Sequence, residues 1–323
     1  MILVTGGAGF IGSAWVWHLN QLGETDIVIV DHLGTSDKWR NLVPLHYADY
    51  IEKDDFLIRL KAGLYEGQFR EVYHLGACSA TTESDASYLI HNNFEYSKVL
   101  LNFCVEENLT LFYASSAATY GDGGRGYSDI AELSDLRPLN MYGYSKHMFD
   151  RYVHSRGLLA QVVGLKFFNV WGPNEYHKGS MRSMVVKAYE QIQQTGKVKL
   201  FKSHHEDYAD GHQMRDFVYI KDVVRMMQSL RQSKSVNGLI NLGSGKAHTW
   251  IDLINPIFEA LDLQAQIEFI DMPLELREKY QYFTEADMRK YEQSGLERYQ
   301  TPLSDAVKDF VLNYLRKDQV LGY

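Results

Sequence analysis

The stretch Met1-Ile-Leu-Val-Thr-Gly-Gly-Ala-Gly-Phe-Ile-Gly-Ser13 limits what this chain can fold into more than any other. Ile2 to Val4 is an apolar run long enough for a buried strand and too short for a helix. Gly6, Gly9 and Gly12 follow at spacing three, and Phe10 and Ile11 open an amphipathic helix that runs through Leu22. One glycine permits the tight turn, one admits a pyrophosphate to the backbone, and one lets helix pack on strand. The helix start then offers unpaired N–H groups and partial positive charge to phosphate. Gly7, Gly9 and Gly12 also satisfy G-x-G-x-x-G. A second strand, Ile27 to Val30, ends in Asp31, about 20 residues on, where a ribose hydroxyl needs an acceptor. This is the pattern of a dinucleotide site.

A length of 323 residues leaves room for two domains that share one cleft. The formal net charge of -8, from 33 basic and 41 acidic residues, argues against a nucleic-acid or membrane-surface partner. It still allows a local basic pocket. No basic region precedes the first apolar run, so no secretory leader is expected. No apolar stretch approaches the roughly 20 residues that span a bilayer. Cys78 and Cys104 fit no metal spacing and, as the only cysteines, point to a reducing compartment. A soluble, cytoplasmic protein is expected.

Up to about residue 170 strands and helices alternate, which implies a parallel sheet covered on both faces. Strands are expected at 2–5, 26–30, 45–48, 71–75, 109–114 and 161–168, with helices at 10–22, 54–62, 86–107 and 142–156. Beyond Pro173 the alternation fades. Helices are expected at 180–194, 221–231, 249–261, 284–293 and 303–320, and strands at 198–201, 217–220, 239–242 and 266–270. The polar 202–214 stretch reads as an exposed loop. The expected architecture is α/β, a doubly wound Rossmann-type sheet with a smaller interleaved lobe. Residues 1–172 form the dinucleotide-binding domain, with 215–243 returning to it, and 173–214 and 244–323 form the substrate lobe.

Tyr142 and Lys146 are four apart on an expected helix, so they share one face. A free tyrosine, with a pKa of about 10, is a poor base at neutral pH. A neighbouring ammonium stabilises the phenolate and moves the tyrosine toward a useful range. Lys146 can also hold the cofactor's ribose. Strand 109–114 runs into Tyr113-Ala-Ser-Ser-Ala-Ala-Thr-Tyr-Gly121, at the carboxyl edge where ligands bind in such sheets. A hydroxyl there, Ser116, can hydrogen-bond the substrate oxygen that Tyr142 deprotonates.

TGGAGFIG, HLGACS, YASSAATYG, YGYSK and RDFVYIKDV occur in the order seen in extended short-chain dehydrogenases/reductases, and the chain resembles that superfamily over its whole length. GACSATTESD at 76–85, NNFEYSK at 92–98, FFNVWGPNEYHKGSM at 167–181 and YQYFTEAD at 280–287 resemble the ADP-glyceromanno-heptose 6-epimerases. The 202–214 loop is longer than is usual there, and Glu278-Lys279 stands in place of Gly-Arg. The resemblance implies inversion at C6 of ADP-D-glycero-D-manno-heptose by transient oxidation, which supplies heptose for lipopolysaccharide. It implies Tyr142 as one acid/base and Lys178 as the second. On the cofactor it places Gly6, Gly9, Phe10, Ile11, Gly12, Asp31, His32, Lys38, Lys53, Leu75, Gly76, Ala77, Cys78, Ser79 and Asn92 with Tyr142 and Lys146. On the substrate it places Ser116, Asn169, Lys178, Ser180, Phe201, Lys202, Ser203, Arg215 and Tyr280, with Arg215 on the diphosphate. Asp31 alone favours NAD, whereas Lys38, Lys53 and Arg40 favour NADP, and the resemblance implies NADP. It also implies a homo-oligomer, commonly a pentamer.

Arg182 and Lys187 read as a solvated helix face, and the acidic and histidine residues of 202–214 as a loop without metal. Cys78 lacks an apparent histidine partner and reads as packing or cofactor contact. A UDP-hexose 4-epimerase shares the Ser/Tyr/Lys set, and HKGSM discriminates against it. Ala117-Ala118 stands where sugar 4,6-dehydratases carry an Asp-Glu pair. A non-catalytic NADP-binding sensor would not need Ser116, Tyr142 and Lys146 together.

Overall fold

The computed structural model describes residues 1–233, 235–277 and 280–323. The chain opens with β1 (Ile2–Thr5), α1 (Phe10–Gln21), β2 (Ile27–Asp31), β3 (Asp49–Glu52), α2 (Lys53–Lys61) and β4 (Glu71–His74). Next come α3 (Ala86–Leu89), α4 (Tyr96–Glu106), β5 (Leu111–Ser116), α5 (Met141–Ser155) and β6 (Val162–Phe167). The second half adds β7 (Asn169–Trp171), α6 (Met184–Thr195), β8 (Val198–Phe201), β9 (Met214–Tyr219), α7 (Ile220–Gln232) and β10 (Gly238–Leu242). It finishes with β11 (Ala247–Thr249), α8 (Trp250–Ala260), β12 (Ile267–Ile270), α9 (Leu274–Arg277), α10 (Arg289–Gln293) and α11 (Leu303–Asn313).

Seven parallel strands form the central sheet, in the order β3-β2-β1-β4-β5-β6-β10. The order reverses between β1 and β4, and in open α/β sheets a ligand crevice forms outside the strand ends at such a point. Strand residues alternate between two cores. Ile2, Val4, Ile27 and Ile29 face α1 and α7, while Leu3, Val28 and Val30 face α2, α4 and α5. Each such fully buried side chain contributes about 1.5–3 kcal/mol. A three-stranded sheet, β11-β9-β7, and the pair β12-β8 make the smaller lobe beyond the carboxyl edge. Within 215–243, β10 joins the central sheet beside β6, while β9 pairs with β7 and β11. No helix among the described residues is long and apolar enough to cross a membrane.

Several boundaries differ from the sequence expectation. The third strand is Asp49–Glu52, not 45–48. Leu42 and Leu45 supply the apolar run but pack into the α1 core, whereas an edge strand half open to solvent needs no such run. Strand 109–114 lies two residues later, at Leu111–Ser116, which puts Ser116 at the strand end. Helix 86–107 carries a π-helical turn over Ile90–Glu95. Helix 180–194 starts only at Met184, capped by Ser183, and helix 303–320 stops at Asn313. Residues 284–287 are irregular rather than helical, and long-range bonds hold their backbone. Ala286 N donates to Asp216 Oδ2 at 2.9 Å and Asp287 N to Tyr127 O at 3.2 Å.

Candidate active site

The glycine loop is braced by contacts from the protein itself. Gly6 has φ +70°, and a Cβ there would lie 2.5 Å from the Gly76 backbone, so loop and β4 exit touch directly. The Asp31 carboxylate accepts from Ala8 N at 2.8 Å, Gly9 N at 3.2 Å, His32 N at 2.7 Å and Lys38 Nζ at 2.6 Å. A carboxylate has about four acceptor positions, so the protein itself occupies them. Gly9 caps α1 without a side-chain hydrogen bond, and no acidic residue lies in the first turn. The first N–H groups of α1 therefore remain open to an anion.

A cleft of about 1060 Å³ runs along this edge. Gly6, Gly9, Phe10, Ile11, Gly12, Asp31, Lys38, Leu75, Gly76, Ala77, Cys78 and Ser79 line one end. Ser116, Tyr142, Lys146, Asn169, Lys178, Phe201 and Tyr280 line the rest. His32, Lys53 and Asn92 are not brought into that lining: His32 Nδ1 meets Glu52 at 3.2 Å, and Lys53 Nζ donates to Asn92 Oδ1 at 2.8 Å. Nor are Ser180, which is exposed, Lys202, paired with Asp271 at 3.3 Å, or Ser203, whose N–H donates to Asp210 at 2.7 Å. Glu278-Lys279 lie outside the described residues.

On α5, Asn140 caps the first turn by accepting from Gly143 N at 2.8 Å, and Tyr142 and Lys146 face the β5 end. Burial pushes the Tyr142 phenol upward, and a hydrogen bond with Ser116 pulls the other way. The expected downward shift is therefore absent. Burial outweighs the opposing effects, and the Lys146 ammonium donates to the Ala114 carbonyl at 2.8 Å. Burial brings Lys146 itself down to about 8, against the opposing charge of Asp150. Asn93, which the sequence reading missed, is buried and grips Cys78 through its N–H at 2.9 Å and its carbonyl at 3.0 Å, then reaches Ser145 at 3.0 Å. It ties the β4 exit to α5.

Lys178 sits on a turn over Tyr176–Met181 that contains Gly179 at φ +53°. Its ammonium lies 5.3 Å from the Phe10 ring centroid, at the mouth of the glycine loop. Burial lowers its pKa, the nearby Lys187 charge acts in the same direction, and Glu175 opposes both. Arg182, Lys187 and Lys199 also line the cleft, which corrects the reading of Arg182 and Lys187 as a solvated face. Arg182 is paired with Glu190 and donates to Gly179 O at 2.9 Å, while Lys187 is half-buried. Helix periodicity could not show this, because the wall they face comes from another part of the chain. Arg215 is also outside the cleft lining: it is buried, with its guanidinium 5.0 Å from the ring centre of Tyr280 and 5.9 Å from that of Trp250, both of which line the cleft. Trp250, which donates to Tyr280 Oη at 2.9 Å, carried no sequence signal. Among the described residues, no three His, Cys, Asp or Glu side chains converge as a metal would require.

A family model described as the NAD dependent epimerase/dehydratase family matches residues 2–243. An ADP-L-glycero-D-manno-heptose-6-epimerase from Nitratidesulfovibrio vulgaris is 54% identical over 316 residues, covering 98% of each chain. This chain belongs to the ADP-L-glycero-D-manno-heptose-6-epimerase branch of that family. A member from Fusobacterium nucleatum is 48% identical over 328 residues, covering 98% of this chain and 99% of its own. The solved ADP-L-glycero-D-manno-heptose-6-epimerase of Helicobacter pylori matches with a TM-score of 0.82 at 26% identity, over 97% of this chain and 95% of that one. A UDP-glucose 4-epimerase from Thermotoga maritima reaches 0.79 at 23% identity over 98% of this chain and 99% of its own, a likeness of fold alone. Membership makes the chain an enzyme of the isomerase class that uses a nicotinamide dinucleotide. The open α1 N-terminus and the Gly6–Gly76 contact suit a dinucleotide.

Proposed function

We propose that this chain interconverts ADP-D-glycero-D-manno-heptose and ADP-L-glycero-D-manno-heptose by inverting C6, with NADP as cofactor. The observation that carries the reading is the presence of Tyr142 and Lys178 in one cleft with the glycine loop, each on a different segment. Bound NADP supplies a reversible acceptor for the C6 hydride, so the reaction has no net redox. Inversion moves the C6 oxygen between two orientations, and each needs its own proton partner. Tyr142, with Ser116 beside it, serves one orientation, and Lys178 serves the other. A buried lysine whose pKa is lowered exchanges its proton more readily near neutrality. Arg215, stacked on the cleft-lining Tyr280 and Trp250, is assigned to the diphosphate, and Lys187 adds charge on the cleft wall.

The cofactor choice follows from charge. Asp31 is neutralised by Lys38 and occupied by loop N–H groups, so it repels a ribose 2′-phosphate less than a free carboxylate would. Lys38, in the cleft lining, then favours NADP, and titration should show tighter NADP than NAD binding. Equal affinities would count against the assignment. We also propose the division of labour set out from the sequence, with 1–172 and 215–243 serving the cofactor and the remainder the sugar. The active form is taken as a cytoplasmic homo-oligomer, a pentamer, which light scattering measures directly.

The deciding experiment incubates the purified protein with ADP-D-glycero-D-manno-heptose and separates the two C6 epimers. In heavy water the inverted carbon should carry no deuterium. Solvent label at C6 would indicate deprotonation chemistry and sink the hydride reading.

A further inference from the structure

Behind the Tyr142–Lys146 pair lies a buried charge network that the reaction as described does not use. Asp150 is one turn beyond Lys146 on α5 and fully buried. Its carboxylate accepts from Tyr113 Oη, Ser115 Oγ and Lys166 Nζ, each at 2.8 Å. Tyr113 and Ser115 flank Ala114, whose carbonyl accepts the Lys146 ammonium. Three successive residues of β5 are thus fastened to α5 by side chain, carbonyl and side chain in turn. Lys166, from β6, donates also to Thr119 Oγ1 at 2.7 Å, and Thr119 donates to Ser116 O at 2.8 Å. The network ends on the residue that carries the active-site hydroxyl.

Burying such ions costs several kcal/mol each, and apolar side chains of the same volume would hold α5 on the sheet at least as well. Lys146, Asp150 and Lys166 together leave one net positive charge under the cleft floor. On the reading of Tyr142 and Lys146 given above, we propose that Asp150 is a positioning residue: it holds the Lys146 ammonium charged and aimed at the Ala114 carbonyl, and Lys166 holds Asp150. Lys146 is faced by Tyr142 and Asp150 from its own helix, by His74 from β4 and by Cys78 beyond it. Asp150 is faced by Tyr113 and Ser115 from β5, Tyr120 after it, Lys166 from β6 and His147 from α5. Burial holds His147 neutral, down to about 4, so it supplies no competing charge near neutral pH.

The test is the pH dependence of kcat in Asp150→Asn, which keeps the shape, and in Asp150→Asn/Lys166→Met, which also removes the cation left behind. Without the carboxylate, Lys146 loses its proton at lower pH and gives the Tyr142 phenolate less support. The rising limb of the profile should therefore move up by about half a pH unit or more. At neutral pH kcat should fall about tenfold, with NADP binding retained. A merely structural role would lower the unfolding temperature and leave the limb where it is; an unmoved limb overturns the proposal. If neither variant folds, Lys166→Met alone keeps the carboxylate and removes the ion that holds it. An unmoved limb and wild-type kcat there would overturn it equally. Tyr142→Phe and Lys146→Met are run in parallel. Full turnover in those removes the reading of the site itself, whereas lost turnover beside an unmoved Asp150 profile removes only this inference.

Discussion

The two ends of the cleft are built in opposite ways. The cofactor end is largely local: β1, the glycine loop, α1 and β2 come from the first 31 residues, Asp31 braces the loop from inside that stretch, and the β4 exit at Leu75–Ser79 completes it. The other end, proposed for the sugar, is assembled from distant segments. Arg215 on β9 stacks on Tyr280 and Trp250, and Asp216 beside it accepts from Ser244, Gly245 and Ala286 N–H groups at 2.6–2.9 Å. A self-contained site tolerates change elsewhere in the chain. An assembled one depends on every segment arriving.

That contrast can be broken by lesions that ought to separate cleanly. The largest effect is expected at the junction. Tyr142→Phe should lower kcat by roughly 100-fold or more, the scale of lost general acid–base catalysis, with nucleotide affinity intact. Turnover close to wild type would remove Tyr142 from the mechanism. Gly6→Val comes next. A β-branched residue at φ +70° strikes the Gly76 backbone, and strain plus overpacking of about 2–6 kcal/mol should abolish nucleotide binding in a titration. Unaltered binding would show that the two segments can part, contrary to a preformed loop.

At the sugar end, Arg215→Lys should raise KM for the ADP-sugar about tenfold, because an ammonium loses the planar fork and the stacking. Cofactor affinity should not change; if it does, the ends are coupled. The smallest effect concerns acid stability. Burial depresses His74 to about 3 and His147 and His177 to about 4, all from 6.5. Below pH 6.5 the unfolded chain binds protons that the folded histidines refuse, so their contribution to stability falls as pH drops toward 4. Burial pushes the Glu175 and Asp216 carboxyls upward and works in the opposite direction, which keeps the slope shallow. The midpoint of thermal unfolding, followed from pH 7 to 5, should decline modestly; a rise would mean that the carboxyls dominate.

The same contrast explains what could be read from residues alone. The glycine loop, Asp31 and the Tyr142/Lys146 pair are short-range patterns whose physics is complete within one turn or one strand. Most strands of the central sheet were visible as apolar runs for the same reason, and β3 was misplaced because an edge strand lacks one. Asn93, Trp250, Lys187 and the Asp150–Lys166 pair carry no local signature. A buried asparagine or a cleft-facing lysine looks like any other until the opposite wall is in place. Local pattern alone suggests a helix at 284–287, because the bonds to Asp216 and Tyr127 that hold them otherwise come from far up the chain.

The internal brace at Asp31 bears on timing. A phosphate cradle braced by its own protein contacts gives up little conformational freedom to its guest, so dissociation should be slow. An enzyme that must return a hydride to the very molecule it came from benefits from a coenzyme with a residence time longer than a turnover, one that copurifies with the protein.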